Sequence, residues 1–172
     1  LARCAALATL AGGALARVGN VSTVAGGASS GSADATGTSA SFKSPHDIAI
    51  TRDGSFALVA DTYNHRIRKI VLATKAVTTL AGSNSSGFHD ATATGAKLNN
   101  PSAVAISFGG SFALVADTTN HRIRKIDLVS SDNAVTTLAG SSAGYQDGFG
   151  NSSAKVNGSL SASVTITATV EL

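Results

Sequence analysis

The sequence has neither tryptophan nor methionine, and aromatic residues make up only 5% of it. Any core must therefore be built from the small branched side chains of Ala, Val, Leu and Ile. A single cysteine, Cys4, excludes an internal disulfide and a cysteine-based zinc site, and leaves the redox compartment open. No apolar run reaches the about 20 residues of a membrane-spanning helix. Charge is also scarce, at 13% of residues with a formal net charge of +3. That surplus does not by itself indicate a polyanionic partner, because non-specific nucleic-acid binding depends on neutralising many phosphates. Serine is abundant, yet abundance alone is no sign of nucleophilic catalysis, and Cys4 lies in a leader-like stretch. The Gly-rich segment "AGGASSGSADATG" lacks the lysine and the following helix of a nucleotide cradle.

What is present is 172 residues, 43% of them hydrophobic, the length of about one globular domain. The chain opens on Leu1, which reads as a fragment, a processed product or an incomplete gene. Residues 1–19 form a leader-like or disordered segment: Arg3 precedes an apolar stretch ending in Ala14-Leu15-Ala16, as at the tail of a secretory signal. A buried strand is the competing reading, because "ATLAG" at 8–12 echoes an element that recurs downstream.

Recurrence organises the rest. "PHDIAITRDGSFALVADTYNHRIRKI" at 45–70 returns as "PSAVAISFGGSFALVADTTNHRIRKI" at 101–126, an offset of 56. "VSTVAG" at 21–26, "VTTLAG" at 77–82 and "VTTLAG" at 135–140 form a third landmark, whose second offset grows to 58 as "LATKA" becomes "LVSSDNA". Such a polar insertion is what a hairpin turn tolerates, so strands flank it. A loop also repeats, with Gly31, Gly87 and Gly144 each followed three residues later by Asp34, Asp90 or Asp147. One Asp per loop reads as an Asp-initiated turn rather than as a calcium site.

Within a unit, strands are expected near 47–51, 56–61, 66–72 and 77–81, separated by the turn signals "RDG", "TYN" and "TK". "FALVAD" is apolar enough for burial on both faces. No segment keeps a 3.6-residue period, which argues against helix. Four-stranded units that cover each other's faces are β-propeller blades, so the expected fold class is all-β, with about two complete blades and partial ones beside them.

These residues resemble the NHL repeat family, whose blades often read "VADTxNHRI". Here the turn is Asn64-His65-Arg66 and Asn120-His121-Arg122, preceded by "VADT" at 59–62 and 115–118 and followed by "VTTLAG". The resemblance covers roughly residues 20–160; Ser159 replaces the expected Pro, and residues 161–172 alternate as a terminal strand of uncertain membership. It implies a six-bladed, TolB-like propeller. At about 56 residues per blade such a ring needs roughly 340 residues. Two blades cannot close it, so self-association or continuation in a longer polypeptide is expected.

The resemblance also frames the candidate sites. Arg66, Arg68 and Lys69, with Arg122, Arg124 and Lys125, hold six of the thirteen basic residues, and Arg68 and Arg124 are the candidates for RNA contact along a basic ridge. Against this, Asp61 stands five residues before Arg66 and Asp117 five before Arg122, a spacing that opposes carboxylate and guanidinium across the turn. No stacking aromatic interleaves with the bases. The motif residues Asp61, Asn64, His65, Arg66, Asp117, Asn120, His121 and Arg122 are therefore read as blade architecture.

His46 and Asp47 are unshared, since the second copy has Ser102 and Ala103, and such residues on an inner strand are where a site would be grafted. With only His89 besides them, they are too few for a metal, and no cofactor is expected. Sequons at Asn20, Asn84, Asn151 and Asn157 favour a secreted glycoprotein. The expectation is a non-catalytic module that binds a protein or a glycan-bearing surface through its loops. The alternatives are a propeller-type hydrolase or lyase with a channel metal, and RNA binding through the basic strands.

Overall fold

The computed structural model describes residues 21–144. Asn20, Asp147, Asn151, Asn157, the leader-like segment and the terminal strand lie outside the described residues.

The first sheet has the order β1-β2-β3-β4, from β1 (Pro45–Ile50), β2 (Phe56–Asp61), β3 (Arg66–Val71) and β4 (Ala76–Gly82). The second repeats it with β6 (Pro101–Ile106), β7 (Phe112–Asp117), β8 (Arg122–Asp127) and β9 (Ala134–Ala139), and adds the two-residue β5 (Ala91–Thr92) on its outer edge. All pairings are antiparallel, as sequential hairpins dictate. These are the expected blades, with strand ends within a residue or two of those read from the sequence. The "TYN" turn is a short 3-10 helix (Thr62–Asn64) that ends on His65 in the left-handed region at φ 55°. His121 repeats this at 54°.

Residues 21–26 share the pattern of 77–82 and 135–140, which form outer strands, but they form no strand themselves. In the later copies this strand hydrogen-bonds to the third strand of its own blade.

The blades pack face to face. Leu58, Ala60, Ile67 and Leu80 of the first blade share one core with Val104, Ala113, Val115, Ile126 and Val135 of the second. The other face of the first blade carries Ala57, Val59, Ile70 and Val77, covered by Ala35, Ala40 and Phe42 of the preceding loop. Strand alternation assigns these sets to opposite faces, which is why "FALVAD" is apolar throughout. Hydrogen bonds among the described residues also lock the second blade to the first. Thr62 Oγ1 donates to the Pro101 carbonyl at 2.7 Å, the Val104 N–H donates to Asp47 Oδ2 at 2.8 Å, and the Asn100 N–H donates to His65 Nδ1 at 3.1 Å.

The end of β4 returns against the turn, and Gly82 sits there at φ 88°. A Cβ at this position would run into the His65 carbonyl oxygen and within 3.1 Å of Arg66 Cα, both backbone atoms that cannot give way. Gly54 also has positive φ, at 70°, but nothing lies within 4 Å of its would-be Cβ. Gly54→Ala is expected to cost only the about 1–2 kcal/mol of the left-handed conformation. Gly82→Ala should cost clearly more in urea unfolding, and equal midpoints would contradict this close approach.

Candidate functional site

The largest fully buried side chains among the described residues are two arginines, Arg68 and Arg124. A buried guanidinium is tolerated only when its donors and charge are matched. In the first blade Nη1 donates to Asp61 Oδ2 at 2.8 Å and to the Ser41 carbonyl at 3.0 Å. Nη2 donates to Asp34 Oδ1 at 2.6 Å and to the Ala33 carbonyl at 2.9 Å. The second blade copies this with Asp117 at 2.7 Å, Asp90 at 2.6 Å, and the carbonyls of Lys97 and His89 at 3.0 Å each.

Each carboxylate is held in turn. Asp61 accepts from the Lys43 N–H at 2.7 Å and from Asn64 Nδ2 at 2.8 Å, and Asn64 also donates to the Gly31 carbonyl. Asp34 accepts the N–H and the hydroxyl of Thr79 at 3.0 Å each. Burial works against the ionised form of Asp34, but Thr79 and then Arg68 outweigh it and hold the carboxyl below the usual range. At Asp117 burial wins over Asn120, the Asn99 N–H and Arg124, and pushes the carboxyl up.

Two readings from spacing are thereby corrected. Asp61 and Arg66 are register partners, yet the carboxylate pairs with Arg68, and Asp117 likewise with Arg124 rather than Arg122. Residues 66 and 68 share a face of β3, and the Lys43 N–H and Asn64 amide turn the carboxylate inward to the farther one. Arg66 reaches the Ser32 carbonyl and Thr79 Oγ1 at 3.4 Å, while Arg122 donates to the Asn120 carbonyl at 2.7 Å and lies 3.8 Å over the Phe88 ring. Secondly, Asp34 and Asp90 do not initiate turns; each reaches 34 residues along the chain to an arginine.

The basic ridge is also not what its sequence suggests. Arg68 and Arg124 are wholly buried and cannot touch RNA. Aromatic rings do accompany the bases: Phe42, Phe56, Phe88 and Phe112 lie under five of the six cations, from neighbouring strands and loops that spacing does not reveal. Asp47, a candidate binding residue, spends Oδ1 on the Ile48 N–H and Oδ2 on the Val104 N–H.

His65 Nδ1 accepts a backbone N–H, so its proton sits on Nε2. Burial, then Lys43, pushes this imidazole below its ordinary range against the pull of Asp117. His46 is different: it is exposed, with its ring tilted 55° to Tyr63 at 6.4 Å. Asn84 is exposed as well. The strings Gly27-Ala28-Ser29-Ser30-Gly31 and Gly140-Ser141-Ser142-Ala143-Gly144 fit a Gly-x-Ser-x-Gly formula, but neither serine is hydrogen-bonded to a His or an acid among the described residues. Also among the described residues, no three His, Cys, Asp or Glu side chains converge on a metal-sized space.

Residues 42–70 match the family model of the NHL repeat. The chain is 39% identical over 109 residues to Protein SUPPRESSOR OF QUENCHING 1, chloroplastic, of Arabidopsis thaliana, which covers 63% of this chain and 10% of that protein. It is 35% identical over 104 residues to human NHL repeat-containing protein 2, covering 57% of this chain and 14% of that one. The chain thus spans a small part of these relatives. Among solved structures it resembles an auxiliary nutrient binding protein from Bacteroides ovatus, with TM-score 0.56 and 24% identity over 67% of this chain and 31% of that one. A second auxiliary nutrient binding protein, from Bacteroides thetaiotaomicron, gives TM-score 0.59 and 21% identity over 69% and 31%. At these identities the likeness is one of fold.

Asp61→Ala would leave the Arg68 charge buried without its inner partner and should cost about 3–5 kcal/mol. Asp53 is fully exposed, its carboxyl held at about 2 by Thr51 and Ser55, and its copy is Gly109, so Asp53→Ala should melt close to the parent. Coincident thermal melts of the two variants would remove the clamp from its structural role. The lowered Asp34 carboxyl gives a pH signature. Its stabilisation is present above the unfolded value of 3.8 and is lost as pH falls through the lower folded value. The difference in melting temperature between the parent and Asp34→Asn should therefore shrink below that pH.

Proposed function

We propose that this chain is built of NHL repeats and is a non-catalytic interaction module that grips a protein or glycan-bearing partner at one rim of its blades. The observation that carries this reading is where the two copies differ. The buried clamp is the same residue for residue, from Asp34, Asp61, Asn64 and Arg68 to Asp90, Asp117, Asn120 and Arg124. At the entry to the inner strand and on the 3-10 turn, however, Lys43, Ser44, His46 and Tyr63 face Asn99, Asn100, Ser102 and Thr119.

These positions adjoin in space, because the Tyr63 N–H donates to the Lys43 carbonyl and the Thr119 N–H to the Asn99 carbonyl, both at 3.1 Å. Tyr63 is 53% exposed, and with His46 it offers aromatic area and polar tips together, the combination favoured at interaction surfaces. A scaffold held constant by its own charges, with differences gathered on exposed loops, is how binding modules are organised.

The double variant His46→Ala with Tyr63→Ala tests this. Both side chains stand clear of the core, so unfolding should shift by no more than about 0.5 kcal/mol. Affinity for a partner selected on the parent chain from peptide and glycan arrays should fall about tenfold or more. Unchanged affinity would place recognition elsewhere, and turnover of a substrate by the parent chain would refute the non-catalytic reading.

A further inference from the structure

The two blades carry the same pair of faces, but each has only one of them covered by the other blade. In the contact between them, Leu80 of the first blade is 7% exposed and Val104 of the second 5%. Their counterparts on the outward faces are Leu138, 48% exposed, and Ile48, 57% exposed. The repeat thus provides its own control: the same positions are dry where a blade abuts and exposed where none of the described residues covers them. Below Ile48 opens a cleft of about 470 Å³ lined by Val24, Phe42, Pro45, Ile50, Val59 and Ile70. An apolar recess of this kind has a cost in water that burial removes.

We propose that the outward face of the second blade docks on the outward face of the first blade of a second copy of this chain, head to tail. The covered interface shows what each side would contribute. Leu58, Ala60, Ile67 and Leu80 pack onto the second blade, and Leu114, Ala116, Ile123 and Leu138 repeat them without change. On the receiving side, Val104, Ala113, Val115, Ile126 and Val135 recur as Ile48, Ala57, Val59, Ile70 and Val77, and the loop residues Ala96 and Leu98 recur as Ala40 and Phe42, so the two faces differ by one methylene at Ile48 and by a ring at Phe42.

Polar atoms carry the argument independently. His65 Nδ1 accepts the Asn100 N–H of the adjoining blade. Its repeat, His121 Nδ1, is buried with no partner among the described residues. In a second copy the matching donor is the Ser44 N–H, which has the same backbone conformation, with φ 50° against 51° at Asn100. Thr62 Oγ1 donates to the Pro101 carbonyl, and the equivalent acceptor on the receiving copy is the Pro45 carbonyl. These two hydrogen bonds between the blades thus have a counterpart, and the one to Asp47 does not, because Ala103 stands where the first blade has Asp47. The face offers a similar apolar surface and a buried acceptor at the position of a known donor. The contact is heterologous, since the two surfaces differ, so it propagates until the rotation closes a ring.

Light scattering and sedimentation on the full chain test this with two variants at exposed positions, Ile48→Arg on the receiving face and Leu138→Arg on the docking face. The parent should associate in a concentration-dependent way. Each variant alone should associate about tenfold or more weakly, because a charge would be set into an apolar contact without a partner. Circular dichroism should match the parent for both. Mixed together, the variants should form a 1:1 heterodimer and stop, because one intact face remains on each. A monodisperse monomeric parent, variants that assemble like the parent, or a mixture that fails to pair would each overturn the proposal. The rim residues His46 and Tyr63 are intact in both variants, so this outcome is separable from partner binding.

Discussion

A guanidinium buried between two carboxylates is the contact on which each blade depends. Arg68 alone ties β3 to the end of β2 through Asp61, to the preceding loop through Asp34 and two carbonyls, and through Asp34 to β4 at Thr79. Small side chains explain why such a device is used. A core of Ala, Val, Leu and Ile, without tryptophan or methionine, supplies limited apolar area per residue, and the directional hydrogen bonds fix which loop lies over which strand. A buried pair of this kind is weak evidence for net stability and stronger evidence for specifying one arrangement. The geometry agrees, for the two clamps superimpose in their partners and in their distances to within 0.1 Å.

The sequence made the blades legible because a repeat encodes its period twice. "FALVAD" and "NHRIRK" return unchanged, and the turns between them carry Gly, Asn or Asp, so strand ends could be placed closely. Side-chain partnership was another matter. Sheet alternation puts Arg66 and Arg68 on one face, and linear spacing favoured the nearer; the structure chose the farther because backbone donors at Lys43 and the Asn64 amide orient the Asp61 carboxylate. Asp34 was readable only as a turn residue, since a contact that spans 34 residues leaves no local trace. The aromatic rings beneath the basic side chains were hidden for the same reason. One signal was available and unused: Gly, Asp and Arg recur together in both copies at constant offsets.

Scaffold and surface separate cleanly in this chain. Residues with reactive side chains, such as Asp61, Asp117, Arg68 and Arg124, are consumed by the clamps, and Asp47 is consumed by the contact between blades. The exposed His46 and Tyr63 hold no comparable obligations to the fold. Chemistry that looks functional in the sequence is thus largely structural, and the rim that carries His46 and Tyr63 is one of the places where the copies have diverged, the turns at Arg52-Asp53 and Phe108-Gly109 being another.

The loop that supplies Asp34 lies before the first strand of its blade, yet its partners Arg68 and Thr79 lie in the third and fourth. The indivisible cassette therefore runs from Gly31 to Gly82, and again from Gly87 to Gly140, rather than from strand to strand. Between the cassettes, residues 83–86 are largely exposed and form the natural seam. A gene rearrangement that joins units at this seam carries a complete clamp with each one, whereas a join at the prolines keeps the inner carboxylate with its arginine and leaves the outer one, with the two loop carbonyls, on the neighbouring unit.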